Sequence, residues 1–128
     1  METAVYAFID EKQWKLSIPT EDEMVVLEGD CEDDDPDRNE IRSLMEMLCF
    51  LRKFSDQKYI IYTNSNYCFN LCEKWIPKWI ERKFRLPNSE SLRPNSDLLV
   101  KLYSFQMCME FKIAQHFDEY LNFQNLVK

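Results

Sequence analysis

Residues 4–10, AVYAFID, are apolar at odd and even positions alike and end on a carboxylate, the pattern of a central strand covered on both faces. WKLSIPT and EMVVLEGD follow across short polar connections, which predicts a three-stranded meander with Pro19 near the end of the second strand, where no ladder bond is needed. The chain's single glycine, Gly29, stands where the third strand gives out. CEDDDPDRN then reads as a solvated loop that runs into a helix, with Asp35 as N-cap and Pro36 at the first helical position. From Glu40, the apolar residues Ile41, Leu44, Met45, Leu48 and Leu51 recur at helical spacing and define a long amphipathic helix. KYIIYTN, residues 58–64, is again apolar on both parities and predicts a fourth strand beside the first. A helix after Ser65 gathers Cys68, Leu71, Cys72, Trp75 and Ile76 on one side until Pro77 breaks or kinks it, and KWIERKF continues as a short helix. RLPNSESLRPNS is a surface loop. Ser96 or Asn95 then caps the helix DLLVKLYSFQM, before a strand MEFKIAQ and a terminal helix from about Asp118.

With 128 residues, 45% of them hydrophobic and 14% aromatic, the chain has material for one domain with one core. No apolar run approaches the roughly 18 residues that span a bilayer, and METAVYAFID has neither a basic region nor a small-residue cleavage site. These features predict a soluble intracellular protein, cytoplasmic or nuclear, with no membrane partner. The five cysteines lack paired spacing and fit reduced core thiols. Cys68 and Cys72 share a helix face, but no second Cys or His pair completes a zinc set, so packing explains them better.

The net charge of -7 conceals an asymmetry. Residues 1–40 hold fourteen Asp or Glu against three Lys or Arg, whereas Lys74 to Arg93 hold six basic residues against two acidic ones. A uniformly basic nucleic-acid binder is excluded, while one basic patch remains. The acidic run around Asp35 lacks the alternating ligands and turn glycine of a calcium loop and reads as a solvated helix cap.

The order and spacing of these segments resemble a type 1 ribonuclease H domain over nearly the full length. The resemblance implies an α/β fold: a five-stranded mixed sheet, made of the meander and two further strands, flanked by helices. In that family four acidic residues surround two magnesium ions. Asp10 in FID matches the first. Glu40 in DRNEIRSL matches the second, with Ser43 at the small position that follows. TNSNY supplies Thr63, Ser65 and Tyr67 of the third motif, but Asn64 stands where the family has aspartate. KWIPKWIERKF resembles the basic, tryptophan-containing handle that grips a nucleic-acid backbone in some members, and RPNSDLL resembles the start of the following helix. His116 matches a loop histidine that assists proton transfer or product release. The register of NFQNLVK on the last family helix places Gln124 at the fourth acidic position, with Asp118 or Glu119 as substitutes if the loop shifts.

Two-metal hydrolysis needs carboxylates that converge on ions about 3.5–4 Å apart. Asn64 offers one neutral oxygen, and Gln124 another, so Asp10 and Glu40 are the carboxylates left to hold metal. The loss of one charge-stabilising group can cost about a hundredfold or more in rate, and two such losses point away from catalysis. No cofactor is expected, with Mg2+ or Mn2+ the ions for any residual activity. The first hairpin, EKQWKLS, also lacks the family's glycines and brings in Trp14, which predicts a blocked or reshaped approach to the RNA strand.

Three functions follow. The first is a degenerate ribonuclease H-like module that binds a protein partner, as an interaction or scaffold element of an RNA-handling complex. It would use the surface of Trp75, Lys78, Trp79, Arg82, Lys83 and Arg85, or the outer face of the terminal helix. Trp79, beyond the proline, is the better contact residue and Trp75 the better packing residue. The second is a divergent nuclease with Asp10, Glu40 and a rearranged Asp118 or Glu119, in which Asn64 binds one metal. The third is a non-catalytic nucleic-acid binder acting through residues 74–85.

Overall fold

The computed structural model describes residues 2–54 and 58–115. Three strands, β1 (Glu2–Asp10), β2 (Gln13–Pro19) and β3 (Met24–Asp30), form the expected antiparallel meander. Strand β4 (Lys58–Thr63) lies parallel to β1, and β5 (Phe111–Ala114) lies parallel to β4. The resulting mixed sheet has the order β3-β2-β1-β4-β5.

Register fixes which side chains meet. Ala7 stands between Leu16 of β2 and Thr63 of β4, and Ile61 stands between Val5 and Ile113, so one face of the sheet is a continuous apolar surface. The coverage of both faces expected for β1 and β4 is unequal. Val5, Ala7, Ile9, Tyr59 and Ile61 are buried, whereas Tyr6, Phe8, Ile60 and Tyr62 on the opposite parity are half-buried, with the Tyr6 and Tyr62 rings stacked at 5.4 Å. Side chains alternate along a strand, so helices packed on one face bury only every second residue.

The single glycine has a packing explanation. Trp14 is opposite both Ile9 and Gly29, and a Cβ built on Gly29 would lie 2.3 Å from the Trp14 ring. The indole is buried, donates through Nε1 to Glu46 at 2.6 Å and packs against Phe50 at 5.7 Å. Trp14 therefore faces the core, and its bulk does not block the hairpin as the sequence suggested. The hairpin is instead tight: Asp10 pairs with Gln13, and Glu11 takes a positive φ of 51° without being glycine.

Helix α1 (Pro36–Phe54) begins as expected, with the Asp35 carboxylate accepting from the Asp37 N–H at 2.9 Å. Ile41, Leu44, Leu48 and Leu51 are buried along its inner face. Met45 is half-buried, and Met47 occupies the core in its place. Asp33 of the acidic loop accepts from the Asp35 N–H at 3.1 Å and from Arg42 at 3.1 Å, which ties the loop to the helix.

Helix α2 (Asn66–Asn70) runs into a π-helical turn (Leu71–Trp75), then α3 (Ile76–Trp79) and a 3-10 turn (Ile80–Arg82). Of the two outcomes expected at Pro77, a break or a kink, the break does not occur. The wide turn ahead of it, in which the Ile76 N–H reaches the Leu71 carbonyl, removes the clash that a proline ring makes with the carbonyl four residues back. Pro77 cannot donate to the Cys72 carbonyl five residues back, and Gln106 Nε2 supplies that bond at 3.1 Å. Left-handed Lys83 and Phe84 then reverse the chain, and residues 85–92 close on themselves through an Arg85–Leu92 bridge.

Helix α4 (Ser96–Cys108) starts after Asn95, which is left-handed at φ 66° and makes no side-chain cap. Its amide oxygen instead accepts from Arg38 at 3.2 Å, and the same guanidinium forms two bonds to Asp97, at 3.0 and 3.1 Å. This clamp joins the start of α4 to the first turn of α1. None of the described helices is long and apolar enough to cross a membrane. The terminal helix expected from Asp118 lies outside the described residues.

Candidate functional site

Because β1 and β4 run parallel, their carboxyl ends lie side by side, the position where open α/β sheets place chemistry. Asp10 is the exposed last residue of β1. The parallel register reaches Ala7 opposite Thr63, and beyond it the Asn64 side chain continues the pairing. The Ile9 N–H donates to Asn64 Oδ1 at 2.9 Å, and Asn64 Nδ2 donates to the Ile9 carbonyl at 2.8 Å. The amide thus acts as a peptide-group substitute, with a donor facing an acceptor and an acceptor facing a donor. A carboxylate has no donor and would set a second acceptor against the Ile9 carbonyl.

The neighbouring motif residues are also engaged. Thr63 Oγ1 accepts from the Ser65 N–H at 3.1 Å. The Ser65 hydroxyl caps α2 by accepting from the Cys68 N–H at 3.1 Å, and donates to Glu40 Oε1 at 2.8 Å. The Cys68 thiol donates to the Glu40 carbonyl at 3.6 Å. One residue earlier, Asn39 donates from its side chain to the Glu11 carbonyl and holds the first hairpin against α1. The first turns of α1 therefore dock the β1–β2 turn through Asn39 and the β4–α2 turn through Glu40.

Asn64 and Glu40 are held by these bonds at the end of the sheet where Asp10 ends β1. Among the described residues, no group of three or more His, Cys, Asp or Glu is placed to hold a metal ion. An amide fixed by two backbone bonds, together with two carboxylates, is a poor donor set for a two-magnesium centre. His116, Asp118, Glu119 and Gln124 lie outside the described residues. Burial pushes the Cys68 thiol up to about 12, and burial followed by the Asp37 carboxylate raises the Tyr67 hydroxyl to about 12. Both shifts favour the protonated form, and Cys68 is fully buried.

The basic aromatic segment is built as a stack. Tyr67 meets Trp75 edge-on at 6.0 Å, Trp75 and Trp79 stack at 5.6 Å, and the Arg93 guanidinium lies 4.3 Å from the centre of the Trp79 ring. Trp75 and Trp79 are both half-buried, so the division into a packing Trp75 and a free Trp79 does not hold. The proline leaves the helical path intact, which keeps the two indoles one turn apart on the same side. Lys78, Arg82, Lys83 and Arg85 are exposed around the stack, and Arg82 donates to the Leu86 carbonyl at 3.3 Å. Arg93 was not singled out from the sequence. The signal available for it was its membership of the same basic run.

No family model matches the sequence, and no curated protein matches it. Solved structures do. The chain is similar to a foamy viral protease-reverse transcriptase in complex with an RNA/DNA hybrid, with a TM-score of 0.66 and 13% identity over 89% of this chain. It spans 17% of that viral chain. It is also similar to LC11-RNase H1 in complex with an RNA/DNA hybrid, with a TM-score of 0.58 and 10% identity over 88% of this chain and 83% of the other. LC9-RNase H1, a type 1 RNase H with the type 2 active-site motif, gives 0.61 and 14% over 91% of this chain and 64% of the other. The chain has a ribonuclease H-like fold.

Proposed function

We propose that residues 1–128 form one ribonuclease H-like domain that has lost phosphodiester hydrolysis and serves as a protein-interaction or scaffold module of an RNA-handling complex, in the cytoplasm or nucleus. One observation carries the reading: both polar atoms of the Asn64 amide are bonded to the Ile9 backbone. Asparagine here completes the sheet, a task for which aspartate is chemically unsuited, and this gives the departure from the family pattern a structural purpose. Retaining a fold while its site takes on structural work fits a domain kept for its surfaces.

The test is titration calorimetry of Mg2+ and Mn2+ into the wild type and Asp10→Asn, followed by an RNA/DNA hybrid cleavage assay on the same samples. The expected result is no metal heat specific to Asp10 and no cleavage. Cleavage abolished by Asp10→Asn would overturn the reading and establish a divergent nuclease using Asp10 and Glu40.

A second reading is supported by the exposed Lys78, Arg82, Lys83 and Arg85 around the Trp75–Trp79 stack. Here the domain binds nucleic acid without cutting it, as a basic surface beside aromatic rings permits. It predicts binding of a hybrid duplex that weakens with salt and is lost when Lys78, Arg82 and Lys83 are changed to Glu. Binding that survives all three changes would sink it.

A further inference from the structure

We infer that the groove between α1 and α4 is a docking site for an acidic amphipathic helix of a protein partner. From the Arg38–Asp97 clamp the two helices enclose a groove of about 440 Å³. Its apolar lining is Met45 of α1 with Leu98 and Phe105 of α4. Taken with the polar lining, Arg42, Met45, Cys49 and Arg52 follow one side of α1, and Leu98, Lys101, Phe105 and Cys108 follow one side of α4, each at helical spacing.

The charges on this groove run against those of the chain. The protein carries a net -7, yet the groove is lined by Arg42, Arg52 and Lys101 against one carboxylate, Glu46. Glu46 is already engaged, accepting from Trp14 Nε1 at 2.6 Å. Arg42 is paired with Asp33 at 3.1 Å, but among the described residues neither Arg52 nor Lys101 has an ion-pair partner. An apolar trough bordered by Arg52 and Lys101, which have no ion-pair partner among the described residues, matches a helix with an apolar stripe and acidic flanks, the helix-in-groove mode of recognition. A nucleic-acid strand would satisfy the cations and leave the apolar lining uncovered, so the peptide fits better. The groove shares no residue with Asp10, Glu40 and Asn64, and the inference stands whether or not the domain hydrolyses nucleic acid.

Two exposed thiols, Cys49 and Cys108, line the same groove and report on its occupancy. The probe is a fluorescein-labelled synthetic helix of about 18 residues with Leu on one face and Glu on the other, compared with the same helix carrying Lys for Glu. The acidic peptide is expected to bind saturably, to lose affinity with salt, and to slow iodoacetamide alkylation of both Cys49 and Cys108. Arg52→Glu combined with Lys101→Glu, both at the surface, is expected to weaken it by about tenfold or more. Equal binding of the Lys peptide, indifference to the double reversal, or unprotected thiols would overturn the inference. So would competition by a single-stranded oligonucleotide for the same residues, or self-association of the chain that protects the thiols without peptide.

Discussion

Asn64 bonds both backbone polar atoms of Ile9, 55 residues earlier in the chain, and in doing so extends the β1–β4 ladder past its last backbone pair. Placing at residue 64 the aspartate that the resembled motif carries should therefore harm the protein. Asn64→Asp removes the donor to the Ile9 carbonyl and sets two acceptors face to face, at a cost of about 1–3 kcal/mol. Thermal unfolding of the variant should show a lower Tm, recovering in part as pH falls and the carboxyl regains a proton to donate. A variant as stable as the wild type that cleaves hybrid would mean that the amide's bonds are incidental.

The Trp14–Gly29 contact is a second point of commitment. Adding a methyl group at Gly29 forces a buried indole to move, which should cost about 1–3 kcal/mol. The strain belongs to the pair, so Gly29→Ala should cost much less in a Trp14→Leu background. Denaturant unfolding of the four proteins of this cycle decides it. Additive losses would place the effect in the β3 backbone instead.

What could be read from the sequence was whatever has a short period. The meander and α1 follow from spacings of two and of three to four residues, and the Asp35 cap lies within two residues of its partner. Asn64 was recognisable as a departure, but its task depends on Ile9 across the sheet. Likewise the Ser65–Glu40 bond spans 25 residues, and Gln106 answers Pro77 through a carbonyl 34 residues before it. Pro77 announced a disturbance that a π-helical turn absorbs, and sequence periodicity does not distinguish that outcome from a break. Arg93 meets Trp79 only because Lys83 and Phe84 turn the chain back.

The Cys72 carbonyl gives a third test. Gln106→Ala leaves this acceptor without its side-chain donor, with an expected loss of about 1–2 kcal/mol in urea unfolding. In a Pro77→Ala background the backbone regains an N–H at residue 77, and the same substitution should cost less. An equal cost in both backgrounds would separate Gln106 from the proline.

Thiol reactivity should divide along burial. Cys49 and Cys108 are exposed, whereas Cys31, Cys68 and Cys72 are buried, and burial raises all three of these thiols above their ordinary value. In native protein a disulfide reagent should label Cys49 and Cys108 within minutes and the other three only on unfolding. Rapid labelling of Cys68 would show that the β4–α2 turn opens readily and that the Ser65–Glu40 bond does not hold it.

The Arg38–Asp97 clamp makes a prediction about acid. The Arg38 side-chain bonds hold the Asp97 carboxyl below the usual carboxylate range, and the Asp35 N–H, followed by Arg42, does the same for Asp33. A carboxyl depressed in the folded state stabilises above its unfolded value of about 3.9, and that contribution is lost as pH falls through the folded value. Asp97 is exposed and Asp33 is half-buried at the surface, so the effect is a modest steepening of the acid limb of Tm against pH rather than a large loss. Arg38→Ala should flatten that limb by releasing Asp97 toward its ordinary value, while Tm near neutrality falls only slightly. The same profile for both proteins would mean that α1 and α4 are held together by apolar packing alone, with the ion pair a passenger at the mouth of their groove.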